Sequence, residues 1–172
     1  VKSSQFYIDS KERAKKPYHY TDCGLDNIFL LNGFEVEQYD GEEYVSITNI
    51  DGLWKAIGLQ ICLNEKTLSP KEAKFLRKQM GKTQAELAAQ LRISDQTVAR
   101  WEKAECSIDG PADLALRVLF LLSPVAQPEG LKFAEGLVEI IKEIVAQDEP
   151  DDREMTFIQT NNHWDARPLE MA

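Results

Sequence analysis

Histidine is nearly absent from this chain of 172 residues: His19 and His163 are its only two, close to opposite ends. No HExxH, GxSxG, P-loop or GxGxxG pattern accompanies them, and no Cys–His or carboxylate pair stands at useful spacing. Acid–base and nucleophilic catalysis lack their usual residues, so no enzyme is expected. Cysteine is scarce as well. Cys23, Cys62 and Cys106 are odd in number, far apart and form no CxxC pair. That argues against a disulfide scaffold and a cysteine-rich zinc site, and predicts three reduced thiols in a cytosolic protein with no metal or cofactor. No apolar run approaches the roughly 18 residues of a membrane span, and Val1 to Gln5 has no apolar stretch of a secretory signal. Positive charge is in deficit too: 20 Lys and Arg stand against 29 Asp and Glu, a net of −9. Taken alone, that argues against a uniformly basic nucleic-acid binder.

What is present is unevenly distributed. Residues 1–68 carry 7 basic and 11 acidic side chains, residues 69–103 carry 8 and 4, and residues 104–172 carry 5 and 14. Only the middle segment is basic, and it also holds the densest helix signals.

Along the chain, residues 1–17 are polar and mixed in charge and read as a flexible arm. Residues 18–66 read as a small α+β domain for partner binding or dimerisation. Ile28-Phe29-Leu30-Leu31 is an apolar run followed by Asn32-Gly33. Phe34 to Tyr39 alternates with period two, and Asp40-Gly41 precedes Tyr44 to Thr48. Asn-Gly and Asp-Gly favour the positive φ of tight hairpin turns, so three antiparallel strands are expected. Asn49 then caps a helix over about 50–62, where Leu53, Ile57 and Ile61 make a stripe suited to covering one face of that sheet. Gly58 weakens this helix by roughly 1 kcal/mol.

Residues 67–123 read as an all-α domain. Ser69-Pro70-Lys71-Glu72 places Ser at the N-cap, Pro at the first helical position and Glu at the third, and Gly81 ends the helix. Thr83-Gln84-Ala85-Glu86 repeats the capping pattern for a helix to about Leu91. Ser94 caps a third helix, to about Lys103, with Val98 and Trp101 on its apolar side, and Pro111 opens a fourth. Two short helices joined by a tight turn make a helix-turn-helix. Residues 124–147 read as a linker and an amphipathic helix. Leu137, Val138, Ile141 and Ile144 lie on its apolar stripe, which serves either the protein's own core or a dimer or partner interface. Residues 148–172 read as an acidic, disordered tail.

Residues 69–122 resemble the Xre/Cro/cI class of helix-turn-helix domains, through Leu76-Arg77, Thr83-Gln84-Ala85-Glu86-Leu87-Ala88, Ser94 and Thr97-Val98-Ala99-Arg100-Trp101-Glu102. The resemblance implies a five-helix domain that binds operator DNA as a homodimer, with its third helix in the major groove. It implies a buried ion pair between Arg77 and Glu102 and assigns Gln84 to the DNA backbone. The residues themselves suggest the rest of the interface. Thr83 and Gln84 sit at a helix N-terminus suited to a phosphate. Lys82, with Lys78 and Lys103, adds non-specific attraction and salt dependence. Ser94 caps the reading helix, and Asp95, Gln96, Thr97 and Arg100 face the bases or phosphates. Gln96 suits adenine and Arg100 suits guanine. Two positions depart from the family: Arg92 and Ala104 stand where glycine is usual. Either the turn differs or Arg92 accepts a left-handed strain of about 1–2 kcal/mol, and the helix before Ala104 is expected to run on slightly.

A second resemblance runs from Tyr18-His19-Tyr20-Thr21-Asp22-Cys23-Gly24-Leu25-Asp26-Asn27-Ile28 through the helical domain, to the MqsA/YgiT-like antitoxin regulators. The CxxC pairs that bind zinc in the MqsA antitoxin are absent here, so no metal site is carried over. Together these readings predict a cytoplasmic, dimeric DNA-binding repressor. Its sharper form is the antitoxin of a type II toxin–antitoxin pair, which autoregulates its operon and neutralises a toxin. The alternative is a stand-alone Xre-family regulator whose N-terminal domain dimerises or senses a ligand.

Overall fold

The computed structural model describes residues 3–7 as backbone, together with residues 14, 16–64, 66–130 and 154–167. The chain forms two compact units, residues 1–56 with 152–172 and residues 57–151, and the division falls inside one helix. None of the described helices is long and apolar enough to cross a membrane.

The first unit is built on strands. Its elements are β1 (Ser3–Tyr7), β2 (Tyr18–His19), β3 (Ile28–Leu30), β4 (Phe34–Tyr39), β5 (Glu42–Ile47), β6 (Met155–Thr160), β7 (His163–Arg167) and the start of α1 (Ile50–Leu63). They make two sheets, ordered β1-β4-β5 and β2-β3-β6-β7. The Asp40-Gly41 hairpin forms as the dipeptide predicts: Asp40 and Gly41 have φ of 52° and 85°, and Tyr39 pairs with Glu42 across them.

Three expectations fail in this unit. The first is a single three-stranded antiparallel sheet, because β3 and β4 belong to different sheets. Asn32-Gly33 does not close a hairpin; the Asn32 side chain is used as a piece of strand. Its amide donates to the Gln159 carbonyl at 3.1 Å and its oxygen accepts from the Gln159 N–H at 2.7 Å. The second is the arm at residues 1–17, since Ser3 to Tyr7 form a strand antiparallel to β4 and satisfy the ladder groups that the β4–β5 hairpin leaves open. The third is the disordered tail. Residues 155–167 form a hairpin whose first strand runs parallel to β3, with Leu30 opposite Phe157. Phe157, Ile158 and Trp164 are buried. The signal was present in Asn161-Asn162, whose φ values of 50° and 61° make a two-residue turn between Thr160 and His163. β6 is buried on both faces, so it reads as a short β-prone run without alternation.

Gly33 shows how closely this unit packs. Its φ is 75°, and a Cβ there would come within 2.5 Å of the Trp164 ring. The Trp164 indole N–H donates to the Asn49 carbonyl at 3.2 Å, and the Asn49 side chain caps α1 by accepting from the Gly52 N–H at 3.1 Å. Trp54 donates to the Tyr20 hydroxyl at 3.0 Å.

The second unit is helical: the end of α1, then α2 (Pro70–Gln79), α3 (Gln84–Leu91), α4 (Asp95–Glu102) and α5 (Gly110–Leu121). Four helices lie within 67–123 rather than five. The last turns of α1 join them, because Ile57 and Ile61 are fully buried and Gly58 leaves room for Phe120, whose ring would stand 2.2 Å from a Cβ there. The glycine that costs helix propensity is what admits α5.

Arg117 secures that junction. It is wholly buried and bonds the Asp113 carboxylate at 2.5 Å. Its remaining N–H groups reach the carbonyls of Ile61, Cys62, Asn64 and Lys66 at 2.6–3.0 Å. Ile61 and Cys62 belong to the last turn of α1 and Asn64 and Lys66 follow it, so one guanidinium caps the helix end and holds the chain just past it. Asp113 also accepts from the Leu68 N–H at 2.6 Å. Asn64, Lys66 and Leu68, which follow α1, are therefore held in place. The amphipathic helix expected at 131–147, with Leu137, Val138, Ile141 and Ile144, lies outside the described residues.

Candidate nucleic-acid interface

α3 and α4 are positioned by caps that the sequence announces. Thr83 is the N-cap of α3. Its hydroxyl oxygen accepts from the Glu86 N–H at 3.2 Å, and the Glu86 carboxylate accepts from the Thr83 N–H at 2.7 Å and the Thr83 hydroxyl at 2.8 Å. These bonds hold the Glu86 carboxyl below the usual carboxylate range. Ser94 caps α4 by accepting from the Thr97 N–H at 3.1 Å, and its hydroxyl lies 2.8 Å from that of Thr97.

The turn between the two helices is made without glycine. Arg92 takes the left-handed conformation, φ 57° and ψ 39°, and Ile93 donates to the Ala88 carbonyl at 3.0 Å. Ala104 does the same after α4, with φ 59°, so the helix stops at Glu102 instead of running on. In both places tertiary packing overrides a local cost of about 1–2 kcal/mol. Val98 and Trp101 are the buried residues of α4, which assigns Trp101 to the core.

One polar network fixes α2, α3 and α4 together. Arg77 Nε donates to Glu102 Oε1 at 2.5 Å and its Nη2 to Oε2 at 3.0 Å. Arg77 Nη1 donates to the Lys82 carbonyl at 2.6 Å, and Gln84 Nε2 donates to Glu102 Oε2 at 2.9 Å. Burial pushes the Glu102 carboxyl up, but the bonds from Arg77 and Gln84, with the charges of Arg77 and Lys74, outweigh it and leave it below its ordinary value. The Gln84 amide, read in the sequence as facing DNA, thus has one N–H committed within the protein. It orients the start of α3 on the end of α4.

Of the remaining predicted contacts, the caps Thr83 and Ser94 are exposed, and Lys82 and Thr97 are half-buried. Asp95, Gln96 and Arg100 are exposed along α4, and Lys103 is exposed just after it. Asp95 accepts from the Gln96 N–H at 2.8 Å, and the Arg100 guanidinium lies 3.9 Å from Glu105. Gln96 and Arg100, one helical turn apart, share one side of α4. Residues 74–109, from within α2 to the N-cap of α5, match the family model described as helix-turn-helix. This segment is a helix-turn-helix of the Xre/Cro/cI type. The match supports a DNA-binding transcriptional regulator. No curated protein and no solved structure matches the chain.

Sequence reasoning missed Arg117 and Asp113, an i,i+4 pair on α5. Their spacing was visible, but their burial was not. No group of three or more His, Cys, Asp or Glu among the described residues is placed to hold a metal ion.

Proposed function

We propose that the chain is a sequence-specific transcriptional repressor that binds operator DNA as a homodimer through its helix-turn-helix. In this reading α4 enters the major groove, Arg100 reads guanine and Gln96 reads adenine, while Asp95 and Thr97 make the flanking contacts. The N-terminus of α3, with Thr83, Gln84 and Lys82, meets a phosphate. The observation that carries the proposal is the exposed Gln96 and Arg100 side of a helix whose other side is locked into the core by Val98, Trp101 and the Arg77–Glu102 pair. A helix held this firmly presents its outer side chains in fixed register, which base reading requires.

The sharper form of the proposal is an antitoxin that represses its own operon, with the strand-rich unit holding a cognate toxin. Its support is that unit's separate core and the acidic residues on both flanks of the basic segment, which suit a basic, nucleic-acid-binding partner. Footprinting the full chain on its own promoter tests the repressor. Protection of a palindrome is expected, and no protection at low salt would overturn it. Co-expression with the adjacent reading frame tests the antitoxin. A small toxic protein that co-purifies supports it, and an adjacent frame with no toxicity and no binding leaves the stand-alone regulator.

A further inference from the structure

The positive charge of the basic segment is not on α3 and α4. Between residues 69 and 82 there are five basic side chains and one acidic, whereas between 83 and 103 there are three of each. The whole excess therefore sits on α2 and the turn that follows it. The structure separates α2's charges further. Glu72 is buried and paired with Lys66 at 3.2 Å, and Arg77 is buried against Glu102. The charges α2 exposes are Lys71, Lys74 and Lys78, all positive. They recur at i, i+3 and i+7, which places them along one side of the helix over about 10 Å.

α2 is bonded to the elements of the proposed DNA contact. Lys78 follows Arg77, and Lys74 precedes it by one turn. Arg77 bonds both the end of α4, through Glu102, and the Lys82 carbonyl just ahead of α3. The charge of Lys74 is felt at Glu102 itself. The exposed Asp95 and Arg100 of α4 offset each other, and the one charge on α3 is that of Glu86, so neither helix supplies a net positive field of its own.

We infer that Lys71, Lys74 and Lys78 of α2 form a phosphate-binding row that supplies most of the protein's sequence-independent attraction to duplex DNA, leaving α4 to supply sequence preference. This rests on the DNA-binding reading above. It divides labour between two helices: one supplies salt-sensitive affinity and the other supplies selectivity.

The test is fluorescence anisotropy of the full chain with a short random-sequence duplex over a salt series. Each phosphate contact contributes about 0.9 to the slope of log affinity against log salt. The triple variant K71Q/K74Q/K78Q is expected to lower that slope by about 2–3, and K71R/K74R/K78R to retain it. The Arg variant keeps the charge and the helix, so its retention separates lost attraction from lost folding. An unchanged slope in the Gln variant overturns the inference while leaving the DNA-binding reading standing. A wild-type chain that does not bind the duplex at low salt overturns both.

Discussion

The two units are held together by different chemistry. In the helical unit the buried polar contacts are ionic: Arg77 with Glu102, Arg117 with Asp113, and Lys66 with Glu72. In the strand-rich unit they run between neutral amides, carbonyls and an indole, in Asn32 with Gln159 and Trp164 with Asn49. Arg77 with Glu102 ties α2 to α4, Lys66 with Glu72 ties the stretch after α1 to α2, and Arg117 with Asp113 lies within α5. The amide contacts join segments more than a hundred residues apart and fix which strands share a sheet. Breaking an ion pair strands a buried charge, whereas breaking an amide contact strands a dipole. The first unit should therefore be the less sensitive to pH and the second the less tolerant of single deletions.

The largest expected effect comes from stranding a charge. Arg117→Met leaves Asp113 buried without its partner and uncaps α1, and should cost about 3–5 kcal/mol. Cys62 gives a readout, because burial pushes its thiol up to about 12 and shields it. Labelling of Cys62 by a thiol reagent should accelerate sharply in the variant, and an unchanged rate would contradict the capping role. Trp164→Ala removes the ring that packs against Gly33 and should cost about 3–5 kcal/mol. Urea unfolding of that variant should show the loss, and a cost below about 1 kcal/mol would return residues 155–167 to the status of a loose tail.

The pH response sharpens the contrast. The folded-state value of Glu102 lies below its unfolded one. Its stabilisation is therefore complete above the ordinary glutamate value of about 4.3 and is lost as pH falls through the lower folded value. The amide contacts have no proton to take up in that range. The melting temperature should drop on acidification, and Glu102→Gln should flatten part of that drop while lowering the melting temperature at neutral pH. A drop of the same size in the variant would remove Glu102 from the account. The smallest effect is a gain: Arg92→Gly relieves a left-handed residue and should raise stability by up to about 1 kcal/mol. A loss on thermal melting would show that the Arg92 side chain contributes contacts that exceed its strain.

The same contrast explains what could be read without coordinates. Ser69, Thr83 and Ser94 announce α2, α3 and α4 because a cap and its partner lie three residues apart. The resemblance placed an ion pair at Arg77 and Glu102, and the structure has those side chains 2.5 Å apart. Of the α4 residues named as DNA contacts, Asp95, Gln96 and Arg100 are exposed and Thr97 is half-buried. What escaped is non-local. Nothing beside Asn32 says that it will bond Gln159, and nothing beside Ile28 says that its strand will run parallel to Met155. A strand buried on both faces lacks the alternation that marks a half-buried one, so β6 was hidden behind the acidic run that precedes it. The left-handed Arg92 was foreseeable only as a choice between strain and a different turn, and the sequence has the helix before Ala104 run on, where it stops at Glu102. The buried side chains of α3 and α4, Leu87, Ala88, Val98 and Trp101, accompany the strained outcome.

The central claim is that α4 reads bases. Duplexes selected by the full chain from a randomised library provide the specific ligand, and an unselected duplex provides the reference. Arg100→Ala should weaken binding to the selected duplex by about 1–3 kcal/mol, relax one position of the site and leave the reference little changed. Equal weakening on both duplexes would contradict the claim.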